Sequence, residues 1–64
     1  MNLKFTLQQA RLVRRLSQKQ LADRIGTDES SVRAWESGGR IVPTEFIGPL
    51  SYALRIPTDA LSLP

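Results

Sequence analysis

The chain has 64 residues and a 7.2 kDa mass, which allows one domain at most; a chain this short buries only about 60% of the surface its unfolded form exposes, so a large enclosed active site is excluded. With 41% hydrophobic and 23% charged residues, four Gly and four Pro, it has the composition of a compact folded protein, neither disordered nor fibrous. Cys and His are both absent, which removes disulfides, thiolate nucleophiles, most zinc sites and the usual general base, so the reading is of a protein that is not an enzyme and holds no metal or cofactor.

No apolar run approaches the roughly 18 residues that span a bilayer, and no signal-peptide core follows Met1. A cytoplasmic protein with no membrane partner is expected, in keeping with the lack of Cys. Residues 1–40 carry eight of the nine basic side chains against four of the six acidic ones, within a net charge of +3. That asymmetry points to an N-terminal part facing a polyanion. A solvated surface with a modest excess of base accounts for it equally well.

Thr6 followed by Gln9 is a capping box, with Phe5 placed to staple onto Ala10, so the pattern predicts a first helix over about 7–15. Leu3, Leu7, Ala10 and Arg14 share one face of it with Arg11 beside them, and Phe5, Leu12 and Val13 form a second apolar strip. Ser17 and Gln20 repeat the box. Leu21, Ala22 and Ile25 then line one side of a short helix that stops at Gly26, where a left-handed turn is open to glycine.

Asp28 is the next N-cap, and helix three is expected over 29–37. Val32, Trp35 and Glu36 point one way, and Ser30, Arg33, Ala34 and Ser37 the other; Gly38 and Gly39 end the helix. A loop over 40–43 leads to Thr44, which can cap a fourth helix carrying Phe46, Ile47, Leu50, Ala53 and Leu54. Pro49 either kinks that helix or marks, with Gly48, where its regular part begins. Pro57 closes it, and Thr58, Asp59, Ala60 and Leu61 can start one more turn. No segment alternates with period two, so the expected fold is all-α with four to five helices.

The run Leu16-Ser17-Gln18-Lys19-Gln20-Leu21-Ala22-Asp23-Arg24-Ile25-Gly26, continued by Ser30-Ser31-Val32-Arg33-Ala34-Trp35-Glu36-Ser37-Gly38, resembles the phage repressor and Cro type of helix-turn-helix domain, the lambda repressor-like or XRE family. Leu-Ser-Gln, the following Leu-Ala, the Gly nine after the Ser, and then Val and Trp-Glu-x-Gly all stand at that family's spacing, and the likeness covers about Leu7 to Leu61. It implies one helix-turn-helix DNA-binding domain over 1–64, with the motif at about 17–37. It also implies sequence-specific binding of double-stranded DNA and a transcriptional regulator, a repressor of phage or bacterial type.

On the same resemblance, Glu29, Ser30, Arg33 and Ala34 meet base edges. Arg33 forks onto guanine, Ser30 pairs with several bases, Ala34 touches a thymine methyl, and Glu29 either accepts from cytosine or serves only the helix dipole. Gln18, Lys19, Thr27, Ser31, Ser37 and Arg40 fall where phosphates are met, and a solvated Gln18 is the plainer alternative. Arg11 and Glu36 take the place of a partly buried ion pair between helices one and three, against a reading of Arg11 on phosphate and Glu36 in solvent. Trp35, three residues after Val32, reads as core.

The chain departs from the pattern at Arg15, where relatives carry Gly, in segment 44–54, about one residue short, and in the nearly absent fifth helix. A weak homodimer on a near-palindromic operator is expected, joined through Ile41 and Val42, through Leu61 and Leu63, or through sequence beyond Pro64. The rival reading is a small antitoxin or repressor modulator that docks a regulatory protein partner on Leu12, Val13, Ile41 and Val42.

Overall fold

A computed structural model describes residues 3–63. The order is β1 (Phe5–Thr6), α1 (Leu7–Val13), α2 (Gln18–Ile25), α3 (Glu29–Ser37), α4 (Thr44–Leu54), a 3-10 turn (Thr58–Ala60) and β2 (Leu61–Ser62). The all-α class holds, with four α-helices among the described residues. The period-two rule missed β1 and β2, which pair in parallel through Phe5 with Leu61 and Thr6 with Ser62; two residues per strand are too few to make a pattern. The extra turn expected after Pro57 is the 3-10 turn, which stops at Ala60 because Leu61 turns extended to join that pair.

The core is one cluster. Leu7 and Ala10 of α1, Leu21, Ala22 and Ile25 of α2, Val32 and Trp35 of α3, and Leu50 and Leu54 of α4 all bury their side chains in it. Ala22 is buried among them at 1% exposure. Trp35 is core, its ring centroid 5.3 Å from that of Phe46 and tilted by 48°, a favourable aromatic arrangement.

All four helices end in the same way, with a residue in the left-handed region and a backbone N–H reaching back to an orphan carbonyl, as Leu16 N–H does to Arg11 O at 3.2 Å. After α2 and α3 the left-handed residues are Gly26 and Gly38; after α1 and α4 they are Arg15 and Arg55, each at φ 57. An L side chain there costs about 1–2 kcal/mol. The residues that follow the two arginines, Leu16 and Ile56, are both buried in the core, and that burial offsets the strain. Helix one therefore stops at Val13, short of the expected Arg15.

Helix four begins at Thr44, but Thr44 is its first residue and not its cap; the cap is Pro43, which makes no side-chain capping bond. The helix runs through Pro49. Losing one backbone hydrogen bond there is tolerated because Leu50 and Leu54, on the far side of the proline, are wholly buried.

The apolar strip of Phe5, Leu12 and Val13 faces solvent, and so do Leu3 and Ile41. Val42 and Leu61, expected on a docking or dimer surface, instead lie in the core at 5% exposure each, and Leu63 is half-buried against it. Their apolar character serves packing: Val42 anchors the loop before α4, and Leu61 carries β2 onto α1. No helix among the described residues is long and apolar enough to cross a membrane.

The two kinds of helix ending respond oppositely to substitution. Gly26→Ala should lower stability by about 1–2 kcal/mol in chemical denaturation, wholly through the backbone, because a Cβ there meets no atom within 4 Å. Arg15→Gly should leave stability unchanged or raised.

Candidate nucleic-acid interface

Both helices of the helix-turn-helix are started by local capping. Ser17 Oγ accepts the Gln20 N–H at 2.9 Å while Gln20 Oε1 accepts the Ser17 N–H at 2.8 Å, which starts α2 at Gln18. Asp28 Oδ1 accepts the Ser31 N–H at 2.8 Å and the Ser30 hydroxyl at 3.1 Å, which starts α3 at Glu29. Between them Gly26, at φ 79, reverses the chain.

The angle between this pair and α1 is held by a buried ion pair. Arg11 Nε donates to Glu36 Oε2 at 2.6 Å and Nη2 to Glu36 Oε1 at 3.1 Å, with the two side chains 9% and 5% exposed. Arg11 Nη1 donates to the Leu16 carbonyl at 2.8 Å. Gln18 completes the group, its Nε2 donating to Glu36 Oε1 at 3.1 Å. Facing a carboxylate, the Gln18 amide is fixed with its NH2 inward on Glu36, and the second N–H of that NH2 is left over. Half-buried Gln18 is thus ordered by the ion pair, and the solvated alternatives for Gln18 and Glu36 are not what the fold builds.

Glu29, Ser30 and Arg33 are exposed on the outer face of α3 and Ala34 is half-buried there. Arg33 Nη2 lies 3.5 Å from Glu29 Oε2 one turn earlier, both well exposed. On α2, exposed Lys19 stands 3.7 Å from Asp23. Such surface pairs contribute about 0–1 kcal/mol and exchange partners readily. Thr27 is half-buried in the turn, and the Ser37 hydroxyl donates to the Ala34 carbonyl at 3.1 Å.

Ser31 stands apart from the other expected phosphate residues: it is buried at 9% exposure, and its hydroxyl accepts from Arg40 Nη2 at 2.6 Å. Asp28, Ser31 and Arg40 form a chain that brings the loop after α3 back over the start of that helix. The sequence carried no local signal for this contact, since nine residues separate Ser31 from Arg40. Arg14 was missed for the same reason: its Nε donates to the Leu54 carbonyl at 2.7 Å and its Nη2 to that of Arg55 at 3.4 Å, so it closes the end of α4 from 40 residues away.

Hydrogen bonds from Ser31, the hydroxyl first and then the backbone N–H, hold the Asp28 carboxyl below its ordinary value, with the Ser30 hydroxyl and the Arg40 charge adding to the effect. Among the described residues no group of three or more His, Cys, Asp and Glu side chains is placed to hold a metal ion.

Residues 7–61 match the helix-turn-helix family of the lambda repressor and Cro type. The chain belongs to that family. Its members are DNA-binding regulators of transcription, and this helix-turn-helix chain carries the fold over nearly its whole length. No curated protein and no solved structure matches it.

Two outcomes are expected from these geometries. Glu36→Gln strands Arg11 and should cost about 3 kcal/mol in urea denaturation, near the lower end for a broken buried pair, whereas the double variant Arg11→Met with Glu36→Leu should recover most of that loss. Asp28 binds its proton less readily folded than unfolded, so its contribution is present above the unfolded carboxyl pKa and is lost as pH falls through the folded one. The stability difference between the native chain and Asp28→Asn should therefore shrink in the acid range, read from melting temperatures taken across pH.

Proposed function

We propose that this helix-turn-helix protein is a transcriptional repressor of phage or bacterial type, cytoplasmic, that works by occupying an operator in double-stranded DNA. The observation that carries the reading is the outer face of α3: Ser30 and Arg33 stand exposed on a helix capped by Asp28, with Gln18 ordered beside them at the start of α2. A helix of this width enters a major groove. Arg33 leaves Glu29 to fork onto guanine, Ser30 and Ala34 read neighbouring bases, and Glu29 either accepts from cytosine or steadies Arg33.

Gln18 gives its free N–H to a phosphate, joined by Lys19, Thr27, Ser37 and Arg40. Ser31 acts through Arg40, whose guanidinium it positions, and does not reach phosphate itself.

One domain of this size covers four or five base pairs, too few for useful selectivity among genomic sites. Two copies therefore sit about 34 Å apart on a near-palindromic operator as a weak dimer. With Val42 and Leu61 in the core, Ile41 is the expected dimer residue that remains fully exposed. A second reading, a small antitoxin or repressor modulator, rests on the exposed apolar side chains of Leu3, Phe5, Leu12 and Val13.

Selection of duplexes from a random pool, followed by titration at several salt concentrations, tests the proposal. Affinity for the selected site should fall steeply with salt as phosphate contacts release counterions; binding to no duplex would leave the protein-docking reading. Arg33→Ala should cost about 1–3 kcal/mol and relax preference at one base pair, and Gln18→Ala should weaken selected and random duplexes alike.

A further inference from the structure

Most of the protein's unpaired charge lies outside the helix-turn-helix. Arg11 pairs with Glu36, Lys19 with Asp23 and Arg33 with Glu29, and Arg40 reaches Asp28 through Ser31, so those charges are balanced. The excess of +3 comes from Lys4, Arg14, Arg15, Arg24 and Arg55, set against Glu45 and Asp59.

Two of these arginines line the same cleft. Arg24, in the last turn of α2, and Arg55, in the left-handed residue that ends α4, line one open cleft of about 480 Å³ with Ser51, Tyr52 and Ala53. No carboxylate lines it. Among the described residues neither guanidinium has an ion-pair partner, and neither they nor the Tyr52 hydroxyl make a side-chain hydrogen bond, although the Tyr52 ring is 87% exposed.

The dipole at the end of α4 does not explain Arg55, because the Leu54 and Arg55 carbonyls are already met by Arg14. The same two bonds tie the Leu54 and Arg55 backbone to Arg14, and the buried Ile56 follows directly. Arg55 stands at a position where glycine is strain-free, so exchanging it for glycine removes the guanidinium and leaves the backbone as it is.

We propose that this cleft binds a small organic phosphate bearing a planar ring, of the mononucleotide class. Two guanidinium forks suit a phosphate monoester, which they meet with paired, charge-assisted hydrogen bonds. An exposed phenol ring in the same cleft is a stacking face for a heterocycle, and the volume falls within that of small-molecule sites, well above what a bare phosphate fills. Arg24 stands six residues along α2 from Gln18, about 9 Å up the helix axis, and neither Arg24 nor Arg55 is among the residues assigned to DNA, so the proposal does not rest on operator binding.

The test is titration of the full chain with adenosine monophosphate, with adenosine and inorganic phosphate in parallel, followed by backbone amide nuclear magnetic resonance. Saturable shifts should appear at residue 24 and over 51–55, with adenosine and inorganic phosphate each about tenfold weaker or more. Arg24→Gln should weaken binding by about tenfold, and so should Arg55→Gly, which keeps the left-handed backbone and the fold. Four results would overturn the proposal: no shift at these residues, equal binding of adenosine, equal binding of inorganic phosphate, or shifts over Gln18 and the start of α3 instead. Unchanged binding by either folded variant would do so too.

Discussion

A guanidinium and a carboxylate lie buried where α1, α2 and α3 meet, in a chain of 64 residues with little apolar burial to offset two desolvated charges. They are tolerated because their polar atoms are engaged. Glu36 accepts twice from Arg11 and once from Gln18, and the remaining arm of Arg11 caps the Leu16 carbonyl. No buried side-chain nitrogen or oxygen among the described residues is left without a partner. An apolar substitute would fill the same space but would not choose an angle. Bidentate geometry does, and it fixes α3 relative to both α1 and the start of α2.

The rest of the fold adds to that junction with little material. Left-handed endings on every helix turn the chain in the fewest residues, and a two-residue strand pair replaces a fifth helix. Both devices rely on burial elsewhere. Leu16 and Ile56 hold down the strained arginines, Leu61 holds β2 in place, and Leu50 and Leu54 carry α4 through Pro49. Trp35 and Phe46 join α3 to α4 at the centre.

What could be read from the sequence was set by range. The two capping boxes, the Asp28 cap, the Gly26 turn and the inward faces of α2 and α3 follow from rules spanning two to four residues, and each is built as written. The Arg11–Glu36 pair, 25 residues apart, was reachable only through the family resemblance. Contacts with neither a local rule nor a motif stayed hidden: Arg14 on the end of α4, Arg40 on Ser31, and the parallel strands. Hydrophobicity alone could not sort Val42, which is buried, from its exposed neighbour Ile41. Thr44 looked like a cap by residue type, and a proline one place earlier took the position.

The pairing of Phe5 with Leu61 joins segments from opposite ends of the chain. Closing so long a loop is entropically costly and is rewarded by few contacts, so this pairing forms after the helices have packed and opens before they separate. Because each strand is the other's only partner among the described residues, the two strands fray together, and a perturbation at Thr6 is felt at Ser62. The capping box that starts α1 uses the same Thr6, so the first turn of α1 and β2 loosen as one unit while the helix-turn-helix stays folded.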